Sequence, residues 1–232
     1  MRKIMVLVVA CVLSLAWRPA GAWATSVTLA SWAFNLDGVL SDILPGGDPL
    51  PSAVDASLFD PATGLGTVTV TVGGAGAHYI GLFVDHEIAQ QTGGFAPEFG
   101  TRHGAPSAGQ SWEIDEPGFA LPFGDIVANL LAGLLDNSNA VPSTAPNDVA
   151  MALAWEFLLG PGEVALITFI LTDISGLAVP SGFVLTQTEA DPNSQGMIAF
   201  TSTLSVQNQA VPEPGAWLLL GSGLVGMLAC RR

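Results

Sequence analysis

The sequence predicts a mainly β fold: an antiparallel β-sandwich with one short helix, flanked by an N-terminal signal helix and a single C-terminal transmembrane helix. Several segments alternate apolar and polar residues, which is the pattern of a strand with one buried face. The 27 glycines and 16 prolines of the 232-residue chain separate these segments into short units. One central segment has helical spacing instead, and both termini carry long apolar runs.

The clearest strand lies at residues 66–72, where threonine and valine alternate and predict one polar and one apolar face. The segment 163–173 is rich in apolar residues at successive positions, which predicts a strand buried on both faces. A Gly-Pro-Gly turn at 160–162 precedes it. Further strands are predicted at 27–36, 78–88, 111–115, 149–158, 183–188 and 197–206, which gives eight or nine in all.

The exception is the segment 125–136, whose apolar pairs recur at 126/127, 130/131 and 134/135. This spacing places the pairs on one face of a helix. Asp125 stands where an N-cap is expected. The segment therefore predicts one short helix on the sandwich.

Charge is distributed very unevenly along the chain. Between Thr25 and Ala210 there is one basic residue, Arg102, against 19 acidic residues, a formal charge of −18. Such a surface repels phosphate backbones, which disfavours nucleic acid as a partner, whereas cations and neutral or basic partners are compatible. Both cysteines, Cys11 and Cys230, lie outside this part, which therefore has no disulfide, zinc-thiolate site or cysteine nucleophile.

The N-terminus has the three parts of an export signal for the Sec machinery. Arg2 and Lys3 form a positive start, and an apolar run of 14 residues follows at 4–17. Ala22 and Ala24 fit the small-x-small cleavage pattern, which predicts that the mature chain begins at Thr25.

The C-terminus combines prolines, an apolar run and a basic end. Residues 216–230 are uncharged and mostly apolar, and as a helix they would span roughly 22 Å, a short crossing of the ~30 Å hydrocarbon core. Arg231 and Arg232 favour a cytoplasmic end. Pro212 and Pro214 resist helix formation, so the stretch around Glu213 is expected to be extended at the outer boundary of the inner membrane.

The Val-Pro-Glu-Pro start, the glycine- and leucine-rich run and the terminal Arg-Arg resemble the PEP-CTERM sorting signal of Gram-negative bacteria. The resemblance implies recognition and processing by an exosortase, an intramembrane cysteine transpeptidase, in species that make exopolysaccharide. Two arginines after Cys230 stand where three are frequent. The residues implied as the recognised motif are Val211, Pro212, Glu213, Pro214, Arg231 and Arg232.

A wider resemblance covers most of residues 60–206. The segments 111–119, 135–163 and 182–192 are similar to those of an uncharacterised group of PEP-CTERM ectodomains, which implies no catalytic residues. The expected division is a signal peptide at 1–24, a β-sandwich ectodomain at 25–208 and a sorting segment at 211–232. A transient inner-membrane anchor is expected first, and then a location in the cell envelope or outside the cell.

Two acidic pairs are candidate metal ligands. Asp85 and Glu87 share one face of a predicted strand and leave His86 on the other. Asp115 and Glu116 form a second acidic turn. If the two pairs meet in space, their oxygen ligands would suit Ca²⁺; the alternative is a solvated strand end, and zinc is disfavoured because no second histidine stands at ligand spacing.

Aromatic and nucleophilic residues give weaker patterns. Trp112 stands beside an acidic residue and is a candidate for stacking on a sugar ring, whereas Trp155 falls in phase with a core face. The chain contains no Gly-x-Ser-x-Gly motif, no P-loop and no dinucleotide-binding fingerprint. Its three histidines do not by themselves indicate a catalytic triad.

These patterns predict an exported, exosortase-processed protein of the cell surface or extracellular matrix. Its role is expected to be non-catalytic, either structural or adhesive, and linked to exopolysaccharide or biofilm, without a cofactor. A carbohydrate-binding or calcium-dependent binding module is the alternative. A secreted hydrolase is the third reading.

Overall fold

The computed structural model describes residues 26–42, 48–89, 96–118, 123–192, 194 and 196–208. They form eleven strands and one helix. The strands are β1 (Ser26–Leu36), β2 (Val39–Asp42), β3 (Val54–Asp60), β4 (Leu65–Gly73), β5 (Gly76–Ala89), β6 (Glu98–His103), β7 (Gln110–Asp115), β8 (Ala150–Leu159), β9 (Glu163–Asp173), β10 (Val184–Glu189) and β11 (Met197–Asn208), and the helix is α1 (Ile126–Ala132).

The strands form two antiparallel sheets. The five-stranded sheet has the order β2-β1-β5-β8-β7, and the six-stranded sheet has the order β3-β4-β9-β11-β10-β6. The predicted mainly β fold with antiparallel sheets and one short helix is confirmed. The predicted signal helix and transmembrane helix lie outside the described residues. Within the described part of the chain, no helix is long and apolar enough to span a bilayer.

The main core lies between the inner faces of the two sheets. Valines 68 and 70 of β4 are fully buried, as the valine–threonine alternation predicts. Phe169 and Phe200 come from the neighbouring strands β9 and β11, and Trp32 stacks on Phe59 with ring centroids 4.5 Å apart. These large side chains come from both sheets, so their burial holds the sheets together.

The prediction that β9 is buried on both faces was wrong. Its even-numbered residues Leu166 and Ile170 are exposed at 38% and 37%, whereas Ile167 and Phe169 are fully buried. The strand is central in the six-stranded sheet, but only one face of that sheet meets another sheet. Apolar composition alone therefore misjudged the outer face.

The outer face of the five-stranded sheet has a small core of its own. Alanines 150, 152 and 154 of β8 are buried there with Phe83 of β5, beneath apolar side chains of α1. Short alanine side chains let the helix approach the sheet closely. The predicted helix at 125–136 ends earlier, because Gly133 takes the left-handed conformation, with φ of 70°.

The outer face of the six-stranded sheet carries mainly hydroxyl and methyl groups along its central strands. The register of β4, β9 and β11 forms three straight rows, in which the central one is Thr69–Thr168–Thr203. We call these three rows the threonine face. Its nine uncharged members are Thr67, Thr69, Thr71, Leu166, Thr168, Ile170, Thr201, Thr203 and Ser205.

Gly64 places the turn before β4 directly against the buried ring of His86. Its φ is +71°, and an added Cβ would lie 2.3 Å from Nε2 of His86. Gly162, with φ of +78°, has no atom within 4 Å of that position. We therefore expect Gly162→Ala to lower the free energy of unfolding by about 1–2 kcal/mol through backbone strain alone.

Gly64→Ala should cost about 1–3 kcal/mol more than Gly162→Ala, since the methyl group must also displace a buried ring. Denaturant unfolding of the full chain in detergent, followed by tryptophan fluorescence, measures both values. Equal losses in the two variants would mean that the packing of the turn against His86 is loose.

Candidate functional site

Carboxylates gather on the outer face of the five-stranded sheet, where β5, β8 and β7 run side by side. Asp85 and Asp115 pair with opposite sides of the same residue, Ala150. The two acidic segments singled out in the sequence therefore lie in one row, with one strand between them. The carboxylates nevertheless divide into two groups, which we call the Asp85 cluster (Asp85, Glu87, Asp148) and the Asp115 cluster (Glu113, Asp115, Asp125).

The Asp85 cluster joins β5 to the chain just before β8. Asp85 is only 8% exposed, and its Oδ2 accepts a long hydrogen bond of 3.3 Å from the Ser31 hydroxyl. Its buried Oδ1 accepts no hydrogen bond within the described structure. Burial, followed by the charges of Asp148 and Glu87, raises the pKa of Asp85 to about 7.

The other two members of the Asp85 cluster are more accessible. Glu87 is exposed and Asp148 is partly buried. Burial and the charge of Asp148 raise the pKa of Glu87, and burial and the charge of Glu116 raise the pKa of Asp148. The cluster therefore has one buried carboxylate and two that reach solvent. Repulsion between neighbouring negative charges disfavours the ionised form of each.

The Asp115 cluster is satisfied by the protein itself. Glu113 is 1% exposed, and it accepts hydrogen bonds from Nδ2 of Asn129 at 3.0 Å and from the backbone N–H of Asp136 at 3.2 Å. Asp115 accepts from the backbone N–H of Glu116 at 2.8 Å and of Asp125 at 2.9 Å. Every carboxylate oxygen of Glu113 and Asp115 thus has an N–H donor.

Glu116 and Asp125 each differ from their expected role. Glu116 accepts a 2.6 Å hydrogen bond from Nδ2 of Asn147 and belongs to neither cluster. Asp125 occupies the N-cap position of α1, but its carboxylate caps no backbone N–H of the helix. It accepts instead from Nδ2 of Asn129 at 3.1 Å. Asp148 was not among the predicted ligands, because its only local signal is its place directly before an apolar strand.

A second set of buried polar side chains, His86, Glu98 and Gln187, lies between the sheets. His86 is fully buried, and its Nε2–H donates to the carbonyl of Gly64 at 3.0 Å. Burial lowers the pKa of His86 to about 4, so the ring is neutral. Glu98 accepts from the backbone N–H of Ile88 at 2.9 Å and from the side-chain amide of Gln187. Burial raises the pKa of Glu98 to about 8.

Trp112 is not available for stacking on a sugar. It is only 6% exposed, and its ring packs edge-on against Phe183 with centroids 6.2 Å apart. The guanidinium of Arg102 lies over the same ring at 5.6 Å. The geometry therefore speaks against the predicted surface role of Trp112. Trp155 is a core residue as predicted, with its indole N–H bonded to the Ser202 hydroxyl at 2.9 Å.

An open groove of ≈ 570 Å³ lies at the other end of the five-stranded sheet. His78 lines it, with its Nδ1 at 2.8 Å from Oδ2 of Asp37 and its Nε2 at 2.9 Å from the carbonyl oxygen of Gly74. Both ring nitrogens thus face protein oxygens, and the Asp37 hydrogen bond in particular raises the pKa of His78.

Residues 210–232 match the family model of the PEP-CTERM protein-sorting motif. The chain carries a PEP-CTERM sorting signal. The motif implies exosortase-dependent export, with exosortase as the processing partner and transit through the membrane. No curated protein and no solved structure gives a match to the chain.

The PEP-CTERM motif and the predicted signal-cleavage residues lie outside the described residues. Their assignment therefore rests on sequence, and the division at 1–24, 25–208 and 211–232 remains a prediction. The described residues lie between these two ends.

The buried Glu98 makes stability depend on pH. Its pKa rises from 4.5 in the unfolded chain to about 8 in the fold, so its stabilising contribution is complete below pH 4.5 and is lost as the pH rises towards 8. Between pH 7 and 8 the wild-type free energy of unfolding should fall, by on the order of 1 kcal/mol per pH unit for this group.

Glu98→Gln should flatten that slope whatever it does to the absolute stability, because the amide does not titrate. Glu156→Gln, which changes an exposed acid of β8, should keep the wild-type slope. Denaturant unfolding in EDTA at a series of pH values measures this. An unchanged slope in Glu98→Gln would show that Glu98 is already ionised at neutral pH.

Proposed function

We propose that this chain is an exported, exosortase-processed protein of the cell surface or extracellular matrix, with a non-catalytic structural or adhesive role linked to exopolysaccharide or biofilm. The observation that carries the proposal is the PEP-CTERM motif at residues 210–232. The expected signal peptide at 1–24 would bring the ectodomain across the inner membrane through the Sec machinery. The sorting segment would then hold it there until the exosortase acts.

The environment of each histidine supports a non-catalytic role. The chain has three histidines. Both ring nitrogens of His78 contact protein oxygens, His86 is fully buried, and Nε2 of His103 contacts the Thr186 hydroxyl at 3.2 Å. General-base catalysis needs an accessible acceptor nitrogen, which the contacts of His78 and the burial of His86 do not favour.

The threonine face supports an adhesive role. Its nine side chains carry no charge, although the ectodomain around it is strongly acidic. Hydroxyl groups at regular strand spacing can exchange hydrogen bonds with sugar hydroxyls, and the methyl groups beside them can contact apolar sugar faces. A neutral, flat surface of this kind suits a polysaccharide better than it suits a charged protein partner.

A calcium-dependent binding module is the second candidate. The observation that favours it is the Asp85 cluster, in which one carboxylate oxygen of each member lies within 4.8 Å of those of the other two. The two candidates are compatible, since a cation could stabilise an adhesive ectodomain. A role for Trp112 in sugar binding is not part of this proposal, because its ring is buried.

Deletion of residues 211–232 should abolish processing in a host that contains the exosortase. Glu213→Ala should leave the precursor in the membrane fraction at its unprocessed mass, because the acid of the recognised motif is lost. Gln209→Ala, just before the matched segment, should be processed like the wild type. Immunoblotting of fractions and intact-mass measurement report both outcomes; wild-type mass and fractionation in the deletion variant would contradict the sorting proposal.

The adhesive role is tested at the centre of the threonine face. Thr168→Glu places a charge in the middle row and should reduce co-sedimentation of the full chain with exopolysaccharide from the producing strain several-fold. Thr144→Glu, in an exposed turn away from that face, serves as the matched control. Equal binding by both variants would remove the threonine face from the proposal and leave the sorting assignment intact.

A further inference from the structure

The Asp85 cluster has the spacing of ligands around a single ion. One carboxylate oxygen from each of Asp85, Glu87 and Asp148 lies within 4.8 Å of the other two. Calcium–oxygen distances are about 2.3–2.6 Å, so two ligands of the same ion lie at most about 5 Å apart. The three oxygens can therefore reach one central cation without a rearrangement of the backbone.

Asp85 supplies an independent indication of a missing partner. Its side chain is buried to more than nine-tenths, and its Oδ1 has no hydrogen-bond donor in the described structure. The Asp115 cluster differs, because its buried carboxylates receive an N–H at every oxygen. A buried carboxylate oxygen without a donor is costly, and a bound cation removes that cost.

The ectodomain offers no side chain that could act as this cation. Arg102 is the single basic residue between Thr25 and Ala210, and its guanidinium lies over Trp112 and donates to the carbonyl of Gly104 at 2.8 Å. Among the described residues, no lysine or arginine is therefore left to neutralise the Asp85 cluster, and a bound cation could do so. The strongly acidic surface raises the local concentration of cations, which favours their binding.

We propose that Asp85, Glu87 and Asp148 bind one calcium ion. The donor set consists of carboxylate oxygens, which hard cations prefer, and contains no imidazole or thiolate. Two of the three ligands reach solvent, so water can complete the coordination shell. Calcium tolerates such an irregular set of ligands, whereas magnesium demands a near-ideal octahedron.

The ion would fasten the loop before β8 to the sheet. Asp148 lies in that loop, and the adjacent Asn147 forms a backbone bridge with Glu98 and donates to Glu116. Calcium would therefore connect β5, β6 and the end of β7 through one short segment.

Calcium binding is measured on the full chain in detergent, stripped with EDTA and titrated with CaCl₂ by calorimetry or equilibrium dialysis. We expect one ion per chain, with an affinity in the range of about 10⁻⁴–10⁻³ M typical of extracellular modules. Asp148→Asn and Glu87→Gln should each weaken binding at least about tenfold, because each removes a charged ligand.

In EDTA, Asp148→Asn should have a higher melting temperature than the wild type, because the substitution removes a negative charge that repels Asp85.

Two control variants assign the site. Asp125→Asn changes the Asp115 cluster, and Glu156→Gln changes an exposed acid on the same face of β8, about 20 Å from Ala150. Both should bind calcium within about twofold of the wild type, since neither removes a ligand of the Asp85 cluster.

Three results would overturn the proposal. The first is no binding up to about 10 mM Ca²⁺, and the second is an affinity for calcium that falls in Asp125→Asn but not in Asp148→Asn. The third is binding of Mg²⁺ with the same affinity as Ca²⁺ in the wild type and in every variant. The expected affinity rests on the proposed export of the chain. None of these results decides whether the exosortase processes it, because processing is measured separately, with variants of residues 211–232.

Discussion

Buried carboxylates in a domain with one arginine must obtain their hydrogen bonds and their charge balance without lysine or arginine. Asp85, Glu98 and Glu113 are each less than a tenth exposed. Arg102 is the single basic residue between Thr25 and Ala210, and it is engaged with Trp112. Backbone N–H groups and side-chain amides donate hydrogen bonds to these carboxylates instead, and protonation removes their charge. Both effects lower the free-energy cost of burying a carboxylate.

This constraint explains how the helix and its loop sit on the five-stranded sheet. Apolar contacts hold α1 against the alanines of β8, while Asn129 and the backbone of Asp136 are aimed at Glu113. Asn35 of β1 in turn donates to the carbonyl of Leu130 at 2.6 Å, near the end of the helix. The short helix therefore serves as a source of donors for buried acids as well as an apolar cover. The Asp85 cluster lies beyond the reach of these donors, which is why it is the place for an external cation.

Local patterns predicted eight of the eleven strands but not which strands pair with each other. The valine–threonine alternation at 66–72 gave β4 correctly, because period two is contained in the sequence itself. Three strands, β2, β3 and β6, were missed; β6 contains a glycine and charged residues and is held by its pairing with β10. The faces of Asp85 and His86 followed from alternation. The place of Asp148 could not be predicted in this way, because it joins the cluster only through the long-range pairing of β5 with β8. The burial of Trp112 could not be predicted either, because it depends on Phe183 from a distant segment.

The most direct test of this account is a carboxyl-carbon NMR titration of the full chain in EDTA. Burial without a cation predicts that Asp85 and Glu113 titrate near pH 7 and Glu98 near pH 8. The exposed Asp55 and Asp60, whose pKa values are lowered by hydrogen bonds from Ser57 and Ala62, should titrate below their usual 3.8. If the three buried groups instead titrate below about pH 5, like ordinary carboxyls, they are ionised at neutral pH, and charge balance by protons is contradicted.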